Sequence, residues 1–158
     1  PSPYGSAAAK SSKPLVRPPP PCQFQHMSET RPIVDLDTTC ACGAVQMHVT
    51  GKIRSAFLCT CRECQKATGT GHSAVAIVNA AGVAITGETR SFSRHFCPTC
   101  ATTLFAQSSR WPGAALLPVG LFEDQSWFRP DQVLFNRSLQ DWDIMPGDIP
   151  RHATYRED

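Results

Sequence analysis

No stretch of the 158 residues approaches the roughly 18 consecutive apolar residues that a membrane-spanning helix requires. The first residues also lack the apolar segment of a secretory leader. These two absences lead to the expectation of a soluble, non-secreted protein in a reducing, cytoplasmic setting. An excess of one charge is missing as well. Fifteen Lys and Arg stand against thirteen Asp and Glu, for a formal net charge of +2. The cations are scattered and make no basic patch, so neither nucleic acid nor an anionic membrane is indicated as a partner. Helical patterning is scarce, since only "RECQKATG", 62–69, reads as a helix, and a short one. What remains is a chain with room for one domain of ordinary size, 41% apolar and 18% charged.

Eight cysteines are present, and seven of them sit in close groups: Cys40 with Cys42, Cys59 with Cys61 and Cys64, and Cys97 with Cys100. Disulfide frameworks spread their cysteines to tie distant segments together. Thiols one or two residues apart bond to each other only with strain, but chelate one ion readily. The grouping therefore points to metal. Cys22 has no cysteine nearby and reads as a bystander.

Residues 1–32 differ in composition from the rest. They are rich in Pro, Ser and Ala, include the run Pro18 to Pro21, and carry no apolar period, which predicts a flexible tail. Met27, after His26, is a candidate native start, in which case the tail is partly vector-derived. From 33 to 158 the pattern predicts a single domain of short strands. In "AVQMHVTG" the apolar Val45, Met47 and Val49 alternate with polar neighbours, the period of a strand with one buried face. "SAVAIV" (73–78) is a continuous apolar run that fits a more buried strand, and "VAIT" (83–86) follows a turn near Gly82. "SFSRHF", "TTLFAQ", "ALLPVGLF" and "VLFNRSL" are further strand candidates. The fold class expected is mainly β.

Two cysteine pairs make one complete four-thiolate set. Cys40, Cys42, Cys97 and Cys100 would fasten the first strand to a late hairpin, the arrangement of a closed structural zinc site. A redox dithiol at Cys97 and Cys100 is the weaker alternative, because no thioredoxin-like pattern surrounds it. Cys59, Cys61 and Cys64 are left as three ligands, the number typical of a catalytic zinc that keeps a position for substrate. His72 and Glu63 are minor candidates for a fourth; the alternatives are that the triplet pairs with one of the other groups or that two of its thiols are simply buried. Three thiolates on Zn²⁺ leave a formal charge of −1, so such a site should favour a further thiol over splitting water. Arg62, Lys66 and Arg94 are candidate partners for substrate carboxylates, with solvated surface charge as the equal alternative. Trp142 is expected to cap the core rather than wall a pocket.

The segments "CACGAVQMHVTG", "CTCRECQKATGT", "RHFCPTCATTLFAQS" and "SLQDWDIMPGDIPRH" resemble the glutathione-dependent formaldehyde-activating enzyme (GFA) family, which also includes centromere protein V. The resemblance spans about residues 36 to 152. It implies a β-tent of mostly antiparallel sheets, a structural zinc on Cys40, Cys42, Cys97 and Cys100, and a second, catalytic zinc on Cys59, Cys61 and Cys64. The activity it implies is addition of glutathione to formaldehyde, a carbon–sulfur lyase reaction in reverse. The chain departs from the family pattern at Thr60, where many members have His, at His72, where an apolar residue is common, and at Ala101, where Gly commonly follows the second C-x-x-C.

Overall fold

The computed structural model of the protein describes residues 31–156. The expected tail lies almost wholly outside these residues, and so does Cys22. The strand β1 (Ile33–Thr39) pairs antiparallel with β2 (Gln46–Lys52). Alternation sets their faces: Val34 and, on β2, Met47 and Val49 turn inward, while His48 meets Asp37 on the outer side. Along the other edge of β2 runs β5 (Val83–Thr86), which completes a three-stranded sheet.

The second sheet has seven strands. It is built on β3 (Ser55–Cys59) and β4 (Ser73–Asn79), joined through the α1 helix (Arg62–Thr68). Next to β4 lie β9 (Ala114–Pro118), β8 (Thr103–Ala106), β7 (Arg94–Phe96) and β6 (Arg90–Ser91), in that order. On the far side of β3, β10 (Val133–Leu134) adds in parallel. All other strand-to-strand pairings are antiparallel, and an isolated parallel bridge joins Val133 to Arg151.

The apolar run of β4 is explained by its position. Ala76 and Val78 pack into the main core with Val49, Leu104 and Leu117, while Val75 and Ile77 pack into a second cluster with Phe57, Cys59 and Leu134. Both faces of the strand are covered, so alternation disappears. Met47, Leu104 and Leu117 are at most 1% exposed, and burial of each such side chain contributes roughly 1.5–3 kcal/mol.

The architecture is mainly β, as the sequence predicts, and four local features differ from the strand pattern. "SFSRHF" is not one strand but parts of the β6–β7 hairpin, with Phe92 93% exposed at its tip. "ALLPVGLF" stops at Pro118, which has no N–H to extend the ladder, and turns into a 3-10 helix over Val119–Leu121. "VLFNRSL" keeps only two strand residues before Phe135 takes a φ of 61° and a 3-10 turn begins at Asn136. β3 has no clear alternation, because four of its five residues are buried. Trp142 corrects the expectation that it caps the core: it is 69% exposed and lies over Gly71, outside the core clusters.

Candidate functional site

Cys40 follows the last residue of β1, and Cys42 lies in the turn that leads to β2. Cys97 and Cys100 bracket the turn between β7 and β8. The fold brings the four together, with every pair of Sγ atoms within 4.8 Å. Cys40 Sγ is 3.5 Å from Cys42 Sγ, which is 3.8 Å from Cys97 Sγ. Tetrahedral zinc with Zn–S bonds of about 2.3 Å spaces its sulfurs by about 3.8 Å, so the set fits such an ion. The Val45 N–H points at Cys40 Sγ from 3.3 Å, and the Thr102 hydroxyl lies 3.1 Å from Cys100 Sγ.

These neighbours tune the thiols unequally. The Thr102 side chain and N–H outweigh burial and lower Cys100 to about 5. Burial opposes the thiolate of Cys40, but the Val45 N–H and adjoining thiols bring its pKa down. Cys42 gains from the Ala44 N–H, yet its contacts with Cys40 and Cys100 push it up to about 12. Part of the set is therefore poised to be anionic before any cation arrives.

Ala101 explains itself here. Its N–H closes the turn onto the Cys97 carbonyl at 2.9 Å, and its φ is 59°. The turn needs the left-handed conformation that glycine supplies freely, and this chain meets it with alanine.

The second cluster is built where β3 passes into α1. Cys59 ends the strand, Cys61 is the helix N-cap, and Cys64 lies in the first turn. The Cys64 N–H donates to Cys61 Sγ at 3.4 Å. The three Sγ atoms lie within 4.8 Å of one another, and among the described residues no other Cys, His, Asp or Glu joins them. Hydrogen bonding with Cys59, then burial, pushes Cys64 far up, while the positive charge of Arg94 pulls it down; burial also raises Cys61. A raised pKa disfavours the thiolates of Cys61 and Cys64, so a cation binding there must displace their protons.

Thr60 is fully buried between the first two ligands. Its hydroxyl donates to the carbonyls of Phe135 at 2.6 Å and Leu134 at 3.2 Å, and its N–H donates to Leu134 O at 3.0 Å. Gln65 adds a clamp, with Nε2 2.8 Å from Thr60 O and 2.9 Å from Ser138 O. The departure from His at this position thus has a packing reason: the side chain ties the cluster to β10.

The remaining candidates fall at different distances from the cluster. Arg94, on β7, is half-buried and close enough to act on Cys64. Arg62 is exposed and donates to Gln65 Oε1 at 2.7 Å. Glu63 and Lys66 are on the same helix and both are exposed, Lys66 in its last turn. His72 does not join the three sulfurs; its Nδ1 lies 2.8 Å from Asp143 Oδ2, a carboxylate whose side chain is 9% exposed. Asp143 was not singled out by sequence reasoning, and its one signal is its place in "SLQDWDIMPGDIPRH". Phe57 and Leu134 share an apolar cluster with Cys59, against which Cys61, Cys64, Trp111 and Phe135 pack.

No helix among the described residues is long and apolar enough to cross a membrane. No curated protein matches the sequence. A solved structure of a Rhodobacter sphaeroides protein, a structural-genomics target, aligns over 74% of this chain and 100% of its own, at 18% identity and a TM-score of 0.46. The model of the family described as glutathione-dependent formaldehyde-activating enzyme matches residues 35–138. That span contains all seven clustered cysteines, together with the strands and helix that bring them into two groups, and the chain belongs to the glutathione-dependent formaldehyde-activating enzyme family.

Proposed function

We propose that the protein is a zinc-dependent enzyme of the carbon–sulfur lyase type that forms or cleaves a thiol adduct such as S-(hydroxymethyl)glutathione. The observation that carries this reading is the three-sulfur cluster of Cys59, Cys61 and Cys64, which stands apart from a four-sulfur cluster already complete in itself. In this division Cys40, Cys42, Cys97 and Cys100 hold a structural zinc, and the triplet holds the second. When bound there, zinc supplies a soft Lewis-acidic centre that favours the ionised form of an incoming thiol near neutral pH.

The protein's own residues would do the rest. Arg94 adds positive charge beside Cys64, which favours negative charge gathered at the triplet. Phe57 and Trp111 belong to the apolar cluster that includes the triplet and would lower the polarity on that side. In the adduct-forming direction a sulfur–carbon bond forms, the carbonyl π pair moves to oxygen, and the proton lost by the thiol ends on the new hydroxyl. His72, held by Asp143, is the group nearest in kind to a carrier for that proton.

The test is direct. Two zinc ions per chain are expected, one of them removed by mild chelation without unfolding. Glutathione is expected to bind the fully loaded protein in a calorimeter, and formaldehyde to be converted faster than in buffer. Absence of glutathione binding at millimolar concentration, with both zinc sites filled, would defeat the proposal. A second reading, the same scaffold serving another small metabolite, is favoured by the aromatic and cationic cavity that Phe57 shares with Arg54 and Arg110.

A further inference from the structure

We propose that the protein binds a flat organic anion, an aryl carboxylate or aryl phosphate, in a cavity that adjoins the Cys59 triplet but is lined by none of its cysteines. The cavity measures about 570 Å³, a size ordinary for small-molecule sites. Its floor is Phe57 and Leu134, both buried, with Trp111 and Tyr155 beside them. The rings touch in series. Phe57 and Trp111 have centroids 6.1 Å apart, Trp111 and Tyr155 5.8 Å, and Tyr155 and Phe135 4.6 Å. A chain of packed rings is preformed and rigid, so a planar ligand gains contact without ordering the wall first.

The charge lining the cavity has one sign. Arg31, Arg54, Arg110 and Arg156 face it, and among the described residues no acidic one does. Arg31 is committed to Asp131, with Nε 3.2 Å from Oδ2. Among the described residues no carboxylate forms an ion pair with the other three arginines. The Arg110 guanidinium sits 4.0 Å from the Tyr155 ring centre and 6.0 Å from that of Trp111. Stacking holds its plane and leaves the edge donors for a carboxylate or phosphate.

The cavity is also placed to matter for the triplet. Ser55, Phe57 and Cys59 project from the same face of β3, so the floor lies two strand residues, about 7 Å, from Cys59. Leu134, which also lines the cavity, pairs in register with Cys59. Glutathione, an aliphatic peptide, would use the cations but has no use for the ring wall. The inference therefore goes beyond the lyase reading and stands on the cavity alone.

Calorimetry on the zinc-loaded full chain with phenyl phosphate, phthalate and inorganic phosphate tests it. At least one aryl anion is expected to bind one-to-one and about tenfold or more tighter than inorganic phosphate, and whichever of the two binds identifies the headgroup. Arg54→Ala, an exposed position, should weaken that binding about tenfold. Trp111→Leu should erase the preference over inorganic phosphate; should that variant not fold, saturation-transfer NMR on the wild-type protein must show the aryl protons in contact. Aryl anions no tighter than inorganic phosphate, or binding undiminished in Arg54→Ala, overturn the proposal. Glutathione-adduct formation assayed on the same samples keeps the two readings separate: adduct formation without aryl binding overturns this inference only, and the reverse overturns the lyase reading only.

Discussion

The hydroxyl of Thr60 donates to the carbonyl oxygen of Phe135 across 2.6 Å of buried space, and so fixes the one residue that separates Cys59 from Cys61. Thr60→Val keeps the shape and removes the donor, leaving a buried carbonyl short of a partner. A loss of about 1–3 kcal/mol is expected, read as a lower urea midpoint at unchanged slope. A midpoint equal to wild type would show that the bond does not hold the cluster to β10.

Ala101 pays for its φ of 59° with strain that glycine would not feel. Left-handed backbone costs an ordinary residue roughly 1–2 kcal/mol, and glycine's extra unfolded-state freedom takes back about 0.5–1. Ala101→Gly should therefore stabilise the protein by about 0.5–1 kcal/mol, visible as a rise in thermal midpoint. A fall would mean that the methyl group contributes packing that offsets the strain.

The two cysteine clusters should respond differently to loss of one thiol. Cys97 is 0% exposed and joins the two ends of a closed set, so Cys97→Ser is expected to unfold the domain or leave it without near-ultraviolet dichroism. Cys61→Ser should remain folded, lose about one equivalent of zinc by elemental analysis, and lose adduct formation. An unfolded Cys61→Ser beside a folded Cys97→Ser would reverse the proposed roles.

Gly71 has no room for a side chain. A Cβ there would lie 2.2 Å from Asp143 Oδ2 and 2.8 Å from the Trp142 ring. Gly71→Ala must push Asp143 off His72, at an expected cost of about 1–3 kcal/mol. In an Asp143→Ala background the penalty should shrink, because the nearer obstacle is gone. Equal penalties in both backgrounds, measured by urea unfolding, would show that the clash falls on Trp142 instead.

Much of the candidate metal-ligand arrangement is legible in the chain, because chelation depends on close spacing along it. Cys59, Cys61 and Cys64 are near neighbours, so any turn followed by a helix brings their sulfurs together. The short helix itself was readable from "RECQKATG", and "VAIT" coincides with β5. In "SFSRHF" and "VLFNRSL" strand character was legible, but the turn that splits the first and the two-residue extent of β10 were not, since short edge strands have too few residues to show a period and are defined by what they pair with. Trp142 was misjudged because a large aromatic side chain is usually buried, whereas this one covers a glycine at the surface.

Residue type and local spacing alone determined the mainly β class, the gathering of seven thiols into three close groups at the spacing of metal ligands, and the membership of a family whose pattern is written in those cysteines. Tertiary structure alone decided which distant groups meet. It set Thr60 against Phe135, His72 against Asp143, and Arg110 over Tyr155, pairs separated by 45 to 75 residues. Such contacts follow from the order of strands in the sheets, and no local preference of either partner encodes that order. Neighbouring ligands are held together by the chain itself, but a pocket exists only once the sheets have closed around it.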